Sequence, residues 1–168
     1  IVLAAILVFV LICAGLIIYF WEIFSPITNR EVAEEMNRNF YENMFENPEL
    51  AYEMTGERPR SGRDYQKFYG EGIEGFKNFT IETGIGEFET YDISGLEYYW
   101  PYSYAWIKNW SMEIHGYING YFDEDTSEFR NYVVTGWAYR NGRWEVDYII
   151  LKRFDGGEIV QELSLGQY

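Results

Sequence analysis

With 168 residues, 48% of them hydrophobic and 20% aromatic, the chain is sized for one domain and too apolar for a disordered tail. Its formal net charge of −14 excludes general nucleic-acid binding, because phosphates require a Lys/Arg surface. A single cysteine excludes a disulfide scaffold and a cysteine-based zinc site.

The first 21 residues, IVLAAILVFVLICAGLIIYFW, carry no charge. As a helix rising 1.5 Å per residue they reach roughly 31 Å, the thickness of one bilayer core, which predicts a transmembrane helix over 1–21. Tyr19, Phe20 and Trp21 read as its interfacial aromatic belt. Ile12 before Cys13 is unsuited to lipoprotein cleavage, so Cys13 reads as a packing or lipid-facing residue. The acidic remainder places the N-terminus inside and the body outside the cytoplasm, at the cell membrane. The lipid bilayer is thus the first expected partner.

Residues 22–28 read as a juxtamembrane linker, with Ser25-Pro26 breaking or bending the helix. Thr28 and Glu31 form a capping-box pattern that opens a helix of about Asn29 to Asn47. Val32, Met36, Phe40 and Met44 supply its apolar stripe, with Ala33 and Tyr41 beside them. Pro48 suits the first turn of a second short helix through Leu50, Tyr52 and Met54. Ser61 and Asp64 look like the cap of a third, carrying Tyr65, Phe68 and Tyr69.

Beyond Gly75 the pattern becomes alternating. Strands are predicted over Phe76 to Glu82, Ile85 to Tyr91, Tyr102 to Phe122 and Phe129 to Tyr139. Gly116 and Gly120 invite a bulge or strong curvature. Asn141-Gly142 marks a tight hairpin, with Trp144, Val146, Tyr148 and Ile150 on the returning strand. After Gly156-Gly157, the tail at 155–168 adds an edge segment or docks elsewhere. The expected body is an α+β domain over 29–154, a curved antiparallel sheet packed on N-terminal helices.

Three stretches carry a resemblance. They are Asn47-Pro48-Glu49-Leu50-Ala51-Tyr52, the segment Ser61 to Phe68, and Val134-Thr135-Gly136-Trp137 with Asn141-Gly142-Arg143-Trp144-Glu145-Val146-Asp147. In this order they are similar to the nuclear transport factor 2-like superfamily. The resemblance implies a cone-like half-barrel wrapped on a long helix. Behind a membrane anchor, the layout is similar to inner-membrane assembly components of type IV secretion systems. Catalytic members of the superfamily use an Asp or His in the cone as base, which directs attention to His115.

His115, the only histidine, shares a strand face with Asn109, Ser111, Glu113 and Tyr117, a register that faces solvent or an interface. Asp147, Glu145 and Glu113 are the carboxylates available for acid–base work, though exposed strand charges read the same way. Asp123-Glu124-Asp125 lacks calcium-loop spacing and reads as a solvated turn. No phosphate loop, nucleophile elbow or metal-binding helix motif is present, so no catalytic residue, cofactor or metal site is expected. Tyr98, Tyr99, Trp100, Tyr102 and Tyr104 form an aromatic cluster interrupted by Pro101, a candidate protein interface. Asn78 and Asn109 match the N-glycosylation pattern.

The expected function is therefore a non-catalytic single-pass membrane subunit whose outer domain docks on other subunits of a membrane complex or on copies of itself. One alternative is a pilin-like filament subunit with a processed N-terminus at Ile1, against which Ala5 stands where bacterial pilins carry Glu. The other is a membrane-tethered ligand binder or enzyme that uses the cone cavity.

Overall fold

The computed structural model describes residues 2–60, 64–67, 72–99, 110–120, 122–123, 128–129, 131–140, 142–155 and 158–166. Three helices lead: α1 (Val2–Thr28), α2 (Arg30–Glu46) and α3 (Pro48–Glu53). A short hairpin of β1 (Glu57–Arg60) and β2 (Asp64–Lys67) precedes α4 (Gly72–Glu82). The sheet strands β3 (Tyr91–Tyr99) and β4 (Trp110–Ile118) follow, then the small pair β5 (Phe122–Asp123) and β6 (Glu128–Phe129). The chain closes with β7 (Tyr132–Arg140), β8 (Arg143–Asp155) and β9 (Glu158–Gly166). The main sheet is antiparallel in the order β3-β4-β7-β8-β9. The architecture is α+β.

Among the described residues no helix is long and apolar enough to cross a membrane, which corrects the expected transmembrane helix. The uncharged stretch of α1 runs to Trp21. Beyond it the helix belongs to the domain: Ile23 and Ser25 are buried, and the Phe24 ring meets Trp110 edge-on at 5.0 Å. The expected interfacial belt is divided in the same way. Tyr19 packs edge-on against Tyr139 at 6.4 Å, Phe20 stacks on Phe24, and Trp21 is exposed.

Pro26 neither breaks the helix nor ends it, because α1 runs on to Thr28. Burial of Ile23 and Ser25 and packing of Ile27 on the core hold this turn helical against the proline. The cap of α2 is Asn29 rather than Thr28. The Asn29 side chain accepts from the Glu31 amide at 3.0 Å, while the Thr28 hydroxyl donates back to the Phe24 carbonyl. Such a cap contributes about 1 kcal/mol. Pro48 opens α3 as its residue type predicts.

Two elements change class. The segment from Ser61 lies partly outside the described residues, and Asp64–Lys67 is a strand paired to β1, not a helix. Conversely, Phe76 to Glu82 belongs to helix α4. Its buried Phe76 and Phe79 are three apart, and partly buried Ile73 continues that row toward the N-terminus. The expected strand from Ile85 begins only at Tyr91. The expected long strand contributes β4 over Trp110–Ile118, while 100–109 lies outside the described residues.

Helices α2 and α4 cover one face of the sheet. Phe40, Tyr41 and Met44 of α2 and Phe76 of α4 meet Met112, Ile114, Trp137, Ile149 and Leu151. Each such side chain, fully buried, stabilises by about 1.5–3 kcal/mol. Gly142 at φ 83° turns the β7–β8 hairpin, and β9 completes the sheet edge. The register shifts fall at Ile93/Gly95, Gly136/Trp137 and Arg153/Phe154 rather than at Gly116. Gly116 instead permits close approach, since a Cβ there would overlap the Tyr91 hydroxyl.

Inside this core lies a polar cluster. The Asn37 amide donates to Tyr91 Oη at 2.6 Å and to Thr135 Oγ1 at 3.2 Å, and accepts from Trp137 Nε1 at 2.8 Å. The Tyr41 hydroxyl pairs with Thr135 Oγ1 at 2.6 Å. Burial pushes the phenols of Tyr41 and Tyr91 well above the ordinary tyrosine range. Both therefore keep their protons in the fold when the unfolded chain, with pKa near 10, has lost them. Their stabilisation is complete below about pH 10 and falls as pH rises further, by about 1.4 kcal/mol per unit for each ring. Urea midpoints measured from pH 9 to 11.5 should decline over this window, and Tyr41→Phe should make the decline shallower. A flat profile contradicts the assignment.

Candidate functional site

The face of the sheet away from α2 carries alternate residues of β4. Met112, Ile114 and Ile118 turn into the core, and Glu113, His115 and Tyr117 turn to the other side. A spacing of two on a strand puts Glu113 and His115 side by side. Glu97 of β3 lies directly opposite Glu113 in the register, and Gly95 lies opposite His115. The result is a cluster in which one donor atom each from Glu97, Glu113 and His115 falls within 4.8 Å of the others.

His115 is held at its far nitrogen. Its Nδ1 and the Tyr132 hydroxyl are 2.5 Å apart, which fixes the ring and aims Nε2 at the carboxylates. Glu113 Oε2 lies 3.5 Å from Nε2 and Glu97 Oε1 lies 4.0 Å from it. The Nε2 atom is buried and has no hydrogen-bond partner among the described residues. The other oxygen of Glu113, Oε1, accepts from the Tyr148 hydroxyl. Tyr148 reaches it because it belongs to β8, across β7 at Gly136, where no side chain stands between.

The surroundings are aromatic. The Tyr132 ring packs against Tyr117 at 5.6 Å and Phe154 at 6.4 Å. Desolvation, followed by the charges of Tyr117, Glu97 and Glu113, holds the Tyr132 phenol above its ordinary range, so it remains a neutral O–H. Exposure grades the cluster: the His115 and Glu113 side chains are 19% and 18% exposed, and that of Glu97 is 61%. The site is thus a largely buried imidazole–carboxylate pair with a second carboxylate at its solvent edge.

His115 and Glu113 were placed on one strand face from the sequence, but as a solvent or interface register. The sheet makes that face a partly covered, hydrogen-bonded one. Glu97, Tyr132 and Tyr148 were not singled out. Only the register of β3, β7 and β8 against β4 brings them in, and the Glu-x-His spacing on β4 is the sole local signal.

The other carboxylates do not join this cluster. Asp147 is held by Arg140 through both oxygens, with Nη2 to Oδ2 at 2.8 Å, and Glu145 pairs with Arg143 at 2.9 Å. Both acids border Gly56, where a Cβ would stand 3.2 and 3.3 Å from their oxygens. Arg143 also donates to the Glu53 carbonyl at 3.2 Å, and Gly56 N bonds Val146 O at 2.8 Å. This arrangement clamps the end of α3 to the β7–β8 hairpin.

Of the aromatic interface candidates, Tyr98 and Tyr99 end β3, but their side chains lie outside the described residues, as do Trp100, Tyr102 and Tyr104. Asn78 is exposed on α4, and Asn109 lies outside the described residues. Asp123 closes β5, and the two acids after it also lie outside. No protein-family model, no curated protein and no solved structure matches the chain.

Proposed function

We propose that the chain is a non-catalytic subunit of a multi-subunit assembly at the cell membrane. In this reading the apolar arm of α1 is buried by the assembly, and the acidic domain stands outside the cytoplasm and docks on partner proteins. The observation that carries it is the arm itself. Leu7, Phe9, Leu11, Ile17 and Ile18 are each more than 60% exposed, and Trp21 is 70% exposed. Contiguous apolar surface of this kind marks a site of association, because water-exposed hydrocarbon costs about 25 cal/mol per Å² relative to burial. Burial in apolar surroundings is what the reading requires, not passage across a bilayer.

The sequence resemblance to the nuclear transport factor 2-like superfamily agrees with a docking role, since that fold serves scaffolds as well as enzymes. The test is mild-detergent extraction of the native protein, followed by native gel electrophoresis and negative-stain imaging. The expected result is a discrete particle containing other subunits, from which a Leu7→Ser, Phe9→Ser, Leu11→Ser variant is lost while its domain stays folded. A detergent-independent monomer overturns the reading. Regular fibres of this chain alone replace it with the filament alternative.

A further inference from the structure

We infer that Glu97, Glu113 and His115 form a binding site for one divalent transition-metal ion of the zinc type. This goes beyond the docking role and does not depend on it. Three observations carry the inference.

The first is the donor set. One imidazole nitrogen and two carboxylate oxygens suit a borderline ion such as Zn²⁺, whereas Mg²⁺ and Ca²⁺ take oxygen-only shells. Around a tetrahedral Zn²⁺ with bonds of about 2.0–2.1 Å, neighbouring donors stand about 3.3 Å apart. The Nε2 to Glu113 Oε2 separation of 3.5 Å is already close to this. Glu97 Oε1, at 4.0 Å, has to move in by about 0.7 Å to reach that spacing, and its side chain is 61% exposed at the solvent edge of the cluster.

The second is orientation. Metal-binding histidines are held at the nitrogen that does not bind, and ligating carboxylates are themselves hydrogen-bonded. Here Tyr132 holds His115 Nδ1 and Tyr148 holds Glu113 Oε1, with Nε2 and Oε2 facing each other at 3.5 Å. The Nε2 atom is buried without a hydrogen-bond partner among the described residues, a position that otherwise costs free energy.

The third is the charge pattern. Glu97 and Glu113 are direct cross-strand neighbours, and like charges in that arrangement repel. A cation between them removes the repulsion. Three protein ligands leave a fourth position for water or for a group from a docked partner.

The test uses the full chain in mild detergent, with Mg²⁺ in millimolar excess to occupy the acidic surface. Zn²⁺ is titrated by calorimetry while the imidazole nitrogens are followed by ¹⁵N NMR. Because His115 is the only histidine, one pair of resonances reports the site. The expected result is one Zn²⁺ per chain and a stoichiometric shift of the Nε2 resonance. Binding should weaken tenfold or more in Glu97→Gln, whose exposed position leaves the fold intact, and should be lost in His115→Ala. Zinc uptake that leaves the Nε2 resonance unmoved overturns the inference and assigns the binding to the acidic surface. So does an affinity unchanged in Glu97→Gln.

Discussion

Replacing Asn37 with Ala should lower the stability of the domain by about 3 kcal/mol, a fall of about 6–12 °C in melting temperature for a chain of this size. Asn37 is wholly buried at the centre of α2 and has both amide faces engaged. Its carbonyl takes the Trp137 indole N–H, and its NH₂ reaches the Tyr91 and Thr135 hydroxyls. The substitution leaves the Trp137 donor without its acceptor in a site closed to water, which costs about 1–3 kcal/mol. It also removes the link between α2 and two strands and opens a small cavity. Leucine at the same position should do little better, since it fills the space but satisfies no donor. Denaturant unfolding of the wild type, Asn37→Ala and Asn37→Leu separates the two contributions. If Leu restores stability, packing and not hydrogen bonding is what Asn37 supplies.

That residue also marks the limit of what the sequence discloses. The α2 stripe was legible from Phe40, Tyr41 and Met44, yet Asn37 lies on the same helical face and reads as a polar interruption. Its role depends on Tyr91, Thr135 and Trp137, which are between 54 and 100 residues away in sequence. The β7–β8 hairpin was legible because Asn141-Gly142 fixes a turn locally. The α4 segment was misread as a strand because Phe76-Lys-Asn-Phe-Thr-Ile fits a short alternating run nearly as well as a helical row, and only burial of Phe76 beside Phe40 decides. The same holds for α1, whose composition alone suggests a membrane span. Composition does not disclose that Ile23, Phe24 and Ser25 are claimed by the sheet and the domain core. At the site, Glu113 and His115 share a face by strand geometry. Glu97 joins them only through a strand register that 100–109 separates from view.

The second large effect is expected at Gly136. Its position on β7 lies between Glu113 of β4 and Tyr148 of β8, and a Cβ there would overlap the Tyr148 ring. Gly136→Ala must therefore displace Tyr148, which costs about 1–3 kcal/mol in overpacking. Displacement also breaks the Tyr148–Glu113 hydrogen bond, and a bond to a charged partner contributes about 1.5–3 kcal/mol. The sum places the variant about 3–5 kcal/mol below wild type, with the added consequence that Glu113 Oε2 is no longer aimed at His115. A double-mutant cycle distinguishes this from a general intolerance of alanine in the strand. In a Tyr148→Ala background the ring is absent, so Gly136→Ala should cost little or even stabilise, because alanine loses less conformational entropy in a strand than glycine. Equal costs in both backgrounds would mean that the methyl meets backbone rather than the ring, and that Gly136 serves the β7–β8 register shift instead. A coupling of 2 kcal/mol or more, on the order seen for side chains in direct contact, would establish that Gly136 is a glycine so that Tyr148 can cross the sheet and hold Glu113.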